Sequence, residues 1–176
     1  MIFLSPWLPA VVIAAVAGWT DWKSRRIPNW LTVSGALAGL AINATLHGWK
    51  GLQFALLGAL LGLTLLLPLV AIRALGAGDW KLVGALGACL APALLVKVLI
   101  ASVFTAGLIA LAQVIRSGRL RQTLLNVVRI FAALVTFHLP PQEFSLDNPQ
   151  ATKIPFGVAV AVGVFLCALA GAGSQL

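Results

Sequence analysis

Acid is what this chain has least of. Among 176 residues only Asp21, Asp79, Glu143 and Asp147 carry a carboxylate. Charged residues of both signs make up 9% of the chain, against about a quarter in a soluble domain, so there is too little polar surface to cover a water-facing globule. Cysteine is confined to Cys89 and Cys167. No CxxC occurs, which excludes a zinc ribbon or a redox pair, and both thiols lie in apolar runs where they act as small apolar side chains. His47 and His138 are isolated, leaving no arrangement for a serine or cysteine nucleophile and too few ligands for a metal. The chain is therefore expected to use no metal and no cofactor. Its first residues lack a basic segment, so the first apolar run is expected to be a retained span rather than a cleaved signal peptide.

What is present is apolar. Hydrophobic residues account for 61% of the sequence, in long runs that imply a polytopic helical membrane protein. The runs do not alternate with a period of two, which argues against a barrel. Tyr is absent, but six Trp (Trp7, Trp19, Trp22, Trp30, Trp49 and Trp80) fall near the ends of apolar runs, where indole rings favour the membrane interface. The formal charge of +8 comes from basic residues scattered through short loops. That is the positive-inside pattern of a membrane protein and not a nucleic-acid surface.

The runs predict an all-α fold of six transmembrane helices in a single domain over 1–176, with both termini outside. Span one covers residues 2–19, with Pro6 and Pro9 near its start, where a helix tolerates them. The polar loop 21–29 carries Lys23, Arg25 and Arg26 and is expected in the cytoplasm. Span two covers 30–46 and is followed by an outer turn at 47–50. Span three covers 52–72 and closes inside at Arg73. Gly35-x-x-x-Gly39 and Gly58-x-x-x-Gly62 are small-residue faces for close helix packing. Span four starts near Asp79 or Trp80 and turns at Ala91-Pro92, which makes it short for a crossing of about 20 residues. Span five ends at Ile115, before Arg116, Arg119 and Arg121. Residues 120–139 carry Arg119, Gln122, Asn126 and Arg129 at helical intervals and predict an amphipathic helix lying in the cytoplasmic interface. As a span they would place Arg129 in lipid at a cost of roughly 3 kcal/mol or more. Glu143 and Asp147 fall in a polar loop and read as solvated acids. The last span opens at Lys153-Ile154-Pro155-Phe156-Gly157.

This topology puts Asp21 and Asp79 at the cytoplasmic ends of spans, where ionisable residues are costly and point to function. Taken singly, Asp21 could pair with Lys23 or Arg25, and Asp79 could cap span four. Taken together they offer a chemistry. Two neighbouring carboxylates cannot both ionise easily, so one keeps a proton while the other accepts one from water. The pair can then hydrolyse a peptide bond by general acid and base catalysis. Gly76 and Gly78, lacking Cβ, would let backbone or substrate approach Asp79; the plainer reading is a loop with positive φ.

Gly76-Ala77-Gly78-Asp79-Trp80-Lys81 resembles the GxGD motif of membrane aspartyl proteases. Asp21-Trp22-Lys23-Ser24-Arg25-Arg26-Ile27-Pro28-Asn29 resembles the first catalytic motif of the type IV prepilin peptidase family, and Lys153-Ile154-Pro155-Phe156-Gly157 that family's segment before its last span, where Tyr is common at the position of Phe156. The resemblance implies an aspartic endopeptidase of the bacterial inner membrane. It would cut the basic leader from prepilins or pseudopilins at the cytoplasmic face, after a glycine, with Asp21 and Asp79 as catalytic residues. Gly76, Gly78, Lys81, Lys23, Arg25, Arg26, Pro28, Asn29, Pro155 and Gly157 match motif positions in support. Long family members carry an extra domain with paired CxxC motifs and also N-methylate the product. This chain resembles the short forms of Flp-type pilus systems, which implies cleavage without methylation. The implied partners are the prepilin or pseudopilin and the lipid bilayer.

Other functions compete. A presenilin-like protease cuts within its substrate's span, but its first aspartate lies inside an apolar run, unlike Asp21. A small transporter or proton relay using Asp79 would need a polar path, and no other acid falls in an expected span. A non-catalytic assembly subunit would have no need of both aspartates.

Overall fold

The computed structural model describes residues 7–71, 75–118 and 155–173, and within them all regular structure is helical. The helices are α1 (Trp7–Ser24), α2 (Asn29–Ala71), α3 (Ala77–Ser117) and α4 (Phe156–Gly173). The expectation of six spans is corrected at this level: among the described residues there are four continuous helices, of which α2 and α3 are long and apolar enough to cross a membrane. The interfacial helix expected at 120–139 lies outside the described residues, as do Arg73, Arg119, Arg121, His138, Glu143, Asp147 and Lys153.

Neither long helix is straight. Gly48 (φ 60°, ψ −145°) interrupts α2 and Ala91 (φ 59°, ψ 175°) interrupts α3. Contacts on either side of each break show the chain folding back. In the first arm of α2, Asn29 meets Lys81 and Gly39 meets Ala88 and Cys89, so this arm runs parallel to the opening arm of α3. In the second arm, Gly58 meets Gly87 and Gly62 meets Val83, so it runs antiparallel. Past Ala91, Leu95 returns to the level of Gly62. Each long helix is thus a helical hairpin. No helical residue interval marks the bends; a single residue leaves helical dihedrals and the hydrogen-bonded ladder resumes at once.

The opening arm of α3 is the core. Every residue from 82 to 90 is buried, as expected of a helix that is apolar on all sides. The two glycine pairs of α2 do what small-residue faces do. A Cβ on Gly39 would stand 2.7 Å from the Cys89 nitrogen, and one on Gly58 would collide with the Gly87 carbonyl. The bend at Ala91 leaves carbonyls without helical partners, since Pro92 has no N–H for the oxygen of Ala88. Asn43 supplies the donors instead: its Nδ2 reaches the carbonyls of Ala88 at 3.0 Å and Cys89 at 3.1 Å. Among the described residues no buried side-chain nitrogen or oxygen lacks a partner, which a lipid-embedded fold requires.

α4 packs between α1 and α3. It runs antiparallel to α1: Gly157 lies on Asp21, Gly18 on Ala161 and Gly171 on Trp7. Outward-facing side chains such as Leu60, Ile100, Phe104 and Phe165 are apolar and exposed, a surface suited to lipid rather than water.

Candidate active site

Asp21 belongs to the last turn of α1, not to a loop. The helix was expected to give way near Trp19, yet it continues to Ser24. Polar residues prolong it because their hydroxyls bond back to it: Thr20 Oγ1 donates to the Ala17 carbonyl at 3.0 Å and Ser24 Oγ to that of Thr20 at 2.7 Å. The loop shrinks to 25–28. Arg25 ends the helix in the left-handed region (φ 52°), where glycine is the usual residue, and its N–H bonds the Asp21 carbonyl at 2.9 Å. Pro28 favours an extended Ile27 before it, and α2 begins directly after, at Asn29.

The Asp21 side chain is buried, with 7% of the residue exposed. Its cover is the start of α4. The N–H of Gly157 donates to Asp21 Oδ2 at 2.8 Å, and the N–H of Val158 is a second backbone donor. Both belong to the first turn of α4, whose amides have no partner within the helix. Asp21 therefore caps a helix 136 residues away in sequence. Burial pushes its carboxyl above the usual range, while the Gly157 and Val158 amides and the Arg25 charge pull it down.

Asp79 is the third residue of α3, whose N-cap is Gly76. The N-cap role considered for Asp79 itself is thus corrected. The carboxylate instead reaches back to the Gly76 backbone N–H, as the acidic member of a capping box does. Gly76 is extended (φ −70°, ψ 143°) and Gly78 is not among the residues with positive φ, so a left-handed loop does not account for either glycine. Space does. A Cβ on Gly76 would stand 3.0 Å from Asp79 Oδ2, and one on Gly78 would stand 3.3 Å from Ile27 Cβ. The 25–28 loop lies against the start of α3, and the charge of Asp21 acts on Asp79.

Lys81 Nζ donates to Asn29 Oδ1 at 3.1 Å and so ties the start of α2 to the start of α3. Trp80 was expected to sit in the interface. It is half-buried, and its Nε1 donates to the Leu63 carbonyl at 2.7 Å. Lys23 and Arg26 are exposed, Pro28 accepts the Leu31 N–H, and Pro155 is buried with its carbonyl facing the Ala159 N–H. Gly76, Gly78, Lys81, Asn29, Ile27, Arg25 and Gly157 thus gather with the two acids at one end of the bundle. His47 stands at the far end of the first arm of α2, beside Gly48. Among the described residues no three of His, Cys, Asp and Glu are placed to hold a metal ion. Among the described residues, the acids at this end are Asp21 and Asp79.

The profile of the type IV leader peptidase family matches residues 8–111. The chain belongs to the type IV leader peptidase family. Membership in a peptidase family, together with α2 and α3, makes it a membrane protein of peptidase type. No curated protein and no solved structure matches the chain. Both aspartates lie within the family match, and α4, which supplies the amides to Asp21, lies beyond it. The sequence reading of this leader peptidase quoted Gly157 as a motif residue but missed its amide as the partner of Asp21. It also missed Val158, Ile27 and Asn43. Only the 157 position left a signal, a glycine directly inside a helix start.

Proposed function

We propose that this chain is a membrane aspartic endopeptidase that removes the leader from prepilins or pseudopilins, after a glycine, at the cytoplasmic face of the bacterial inner membrane. The observation that carries the reading is the seating of the connection after Asp21 on the turn that holds Asp79, with Ile27 against Gly78 and Asn29 bonded to Lys81, which sets both aspartates at one end of the helices. Asp21, with two amide donors that favour the charged form, is the general base. It takes a proton from the water that attacks the scissile carbonyl carbon. Asp79 holds the single proton of the pair and gives it to the carbonyl oxygen. When the tetrahedral intermediate collapses, the carbon–nitrogen bond breaks, the leaving amine takes the proton from Asp21, and Asp79 recovers its own. Neither metal nor covalent intermediate enters. Asp21 stands in the last turn of α1 beside the loop, which suits cleavage at the membrane face better than within a span.

The long apolar helices α2 and α3 are the segments able to cross the membrane. From Asn29 to His47, before the break at Gly48, the first arm of α2 rises about 27 Å at 1.5 Å per residue, close to the hydrocarbon thickness of about 30 Å. The resemblance of the GxGD string and of the Asp21 motif to the short, Flp-type peptidases supports cleavage without methylation as the activity.

The test is the gel shift from prepilin to mature pilin in membranes. Asp21→Asn and Asp79→Asn should each lower cleavage at least 100-fold, the lower end of what a positioned acid or base contributes, at unchanged membrane abundance. Glu143→Gln and Asp147→Asn should cleave normally. Processing by either aspartate variant at the wild-type rate refutes the dyad.

A further inference from the structure

A groove of about 590 Å³ runs between α1 and the first arm of α2, on the opposite face of α1 from α4. Leu8, Val12 and Val16 form one wall, Trp30, Ala38 and Ile42 the other, and the lining is almost wholly apolar. It does not lead to the aspartates. Asp21 turns toward α4, and neither aspartate lines the groove. Its length is informative. From Trp30 to Ile42 the helix rises about 18 Å, while one leaflet offers about 15 Å of hydrocarbon depth, half of the roughly 30 Å core. A membrane-spanning helix would overrun such a groove, whereas a single acyl chain ends with it.

The charge above the groove has one sign. Val12, Val16, Trp19 and Lys23 follow at intervals of four, three and four, so Lys23 stands on the groove side of α1. Arg26, in the connection, and Lys23 are both exposed, and no acid other than the buried Asp21 lies on this stretch. Trp30 marks the headgroup level on the other wall.

We propose that this groove binds one anionic phospholipid of the cytoplasmic leaflet, its acyl chain between α1 and α2 and its phosphate at Lys23 and Arg26. The site is separate from the peptidase chemistry and rests on the proposed orientation only in placing the Lys23 end of α1 at the cytoplasmic leaflet. In doing so the lipid fills the gap beside the helix that carries Asp21.

Native mass spectrometry of the purified full chain, offered phosphatidylglycerol or phosphatidylcholine of identical acyl chains, tests it. A basic residue near an anionic surface is worth roughly fivefold in affinity. The expected result is one retained lipid with phosphatidylglycerol preferred at least fivefold. Lys23→Gln with Arg26→Gln should erase the preference while retention of either lipid persists. Ala38→Phe, which fills the groove from an exposed position, should abolish retention of both. A photoactivatable phosphatidylglycerol should label Val12, Val16 or Ala38 in the wild type, which keeps the test open should Ala38→Phe misfold. Equal retention of the two lipids, retention surviving in folded Ala38→Phe, or labels elsewhere would overturn the proposal. So would crosslinks from Ala38 to a second copy or to a prepilin.

Discussion

At the residue scale, the unusual group is Asp21. Its carboxylate is both a helix cap and, in the proposed chemistry, a base. The two roles make different demands on Gly157. A Cβ there would come within 2.9 Å of the Asp21 Cβ and 3.0 Å of its Oδ2. Gly157 is buried, so Gly157→Ala must displace Asp21 or the start of α4 and should cost stability in either case. If Asp21 served only as a cap, cleavage per folded protein would be unchanged. As a constraint on a reacting carboxylate, the substitution should lower cleavage per folded protein tenfold or more. Paired measurements of cleavage and of thermal unfolding in detergent separate the two. Because Asp21 and Asp79 act on one proton inventory, the Asp21→Asn/Asp79→Asn double variant should be little slower than either single one. Additive losses would show that the residues act independently.

At the element scale, the two hairpins are made by different means. Gly48 occupies dihedrals that essentially only glycine adopts, and a Cβ there would meet no atom within 4 Å. Gly48→Ala should therefore destabilise by about 1–3 kcal/mol through backbone strain alone. The bend at Ala91-Pro92 relies on Asn43. Replacing Asn43 with Leu keeps the volume but leaves the Ala88 and Cys89 carbonyls buried without donors, at a cost of about 1–3 kcal/mol. Thermal unfolding in detergent measures both. Equal stability of Asn43→Leu and wild type would mean that water or a backbone shift satisfies those carbonyls. The hairpins also bear on the site. The arms of α2 and the opening arm of α3 pack around glycines at backbone distance, and this sets where Lys81 meets Asn29.

At the scale of the whole molecule, the proposed reading needs both aspartates on one side of the bilayer. Contacts between Asn29 and Lys81, and between Asp21 and Gly157, put the ends of α1 and the starts of α2, α3 and α4 together. His47 and Trp49 lie at the reversal of α2, at the opposite end. In a chain with Cys89→Ala and Cys167→Ala, single cysteines at Ser24 and Ala77 should resist a membrane-impermeant maleimide added outside the cell. Cysteines at His47 and Trp49 should react. Labelling of Ala77 from outside would invert the orientation that cytoplasmic cleavage requires.

Much of this was legible in the residues themselves. The low charge and long apolar runs dictate a helical membrane protein, because backbone polar groups in lipid must bond within their own segment. The scarcity of acid singles out Asp21 and Asp79, and Pro92 marks the bend beside it. Local rules of this kind act over a few residues and can be read along the chain. They could not reveal that α1 runs on to Ser24, since hydroxyls that bond back to the helix look like loop polarity in a sequence. Nor could they separate six runs from four helices, because a single residue in the wrong dihedrals reverses the chain without opening a gap. Only the tertiary structure decided which amides cover Asp21, which asparagine closes the Ala91 bend and which side of α1 is left open to lipid. Those are contacts between segments distant in sequence, chosen by the fit of glycine surfaces and by the need of each buried polar group for a partner.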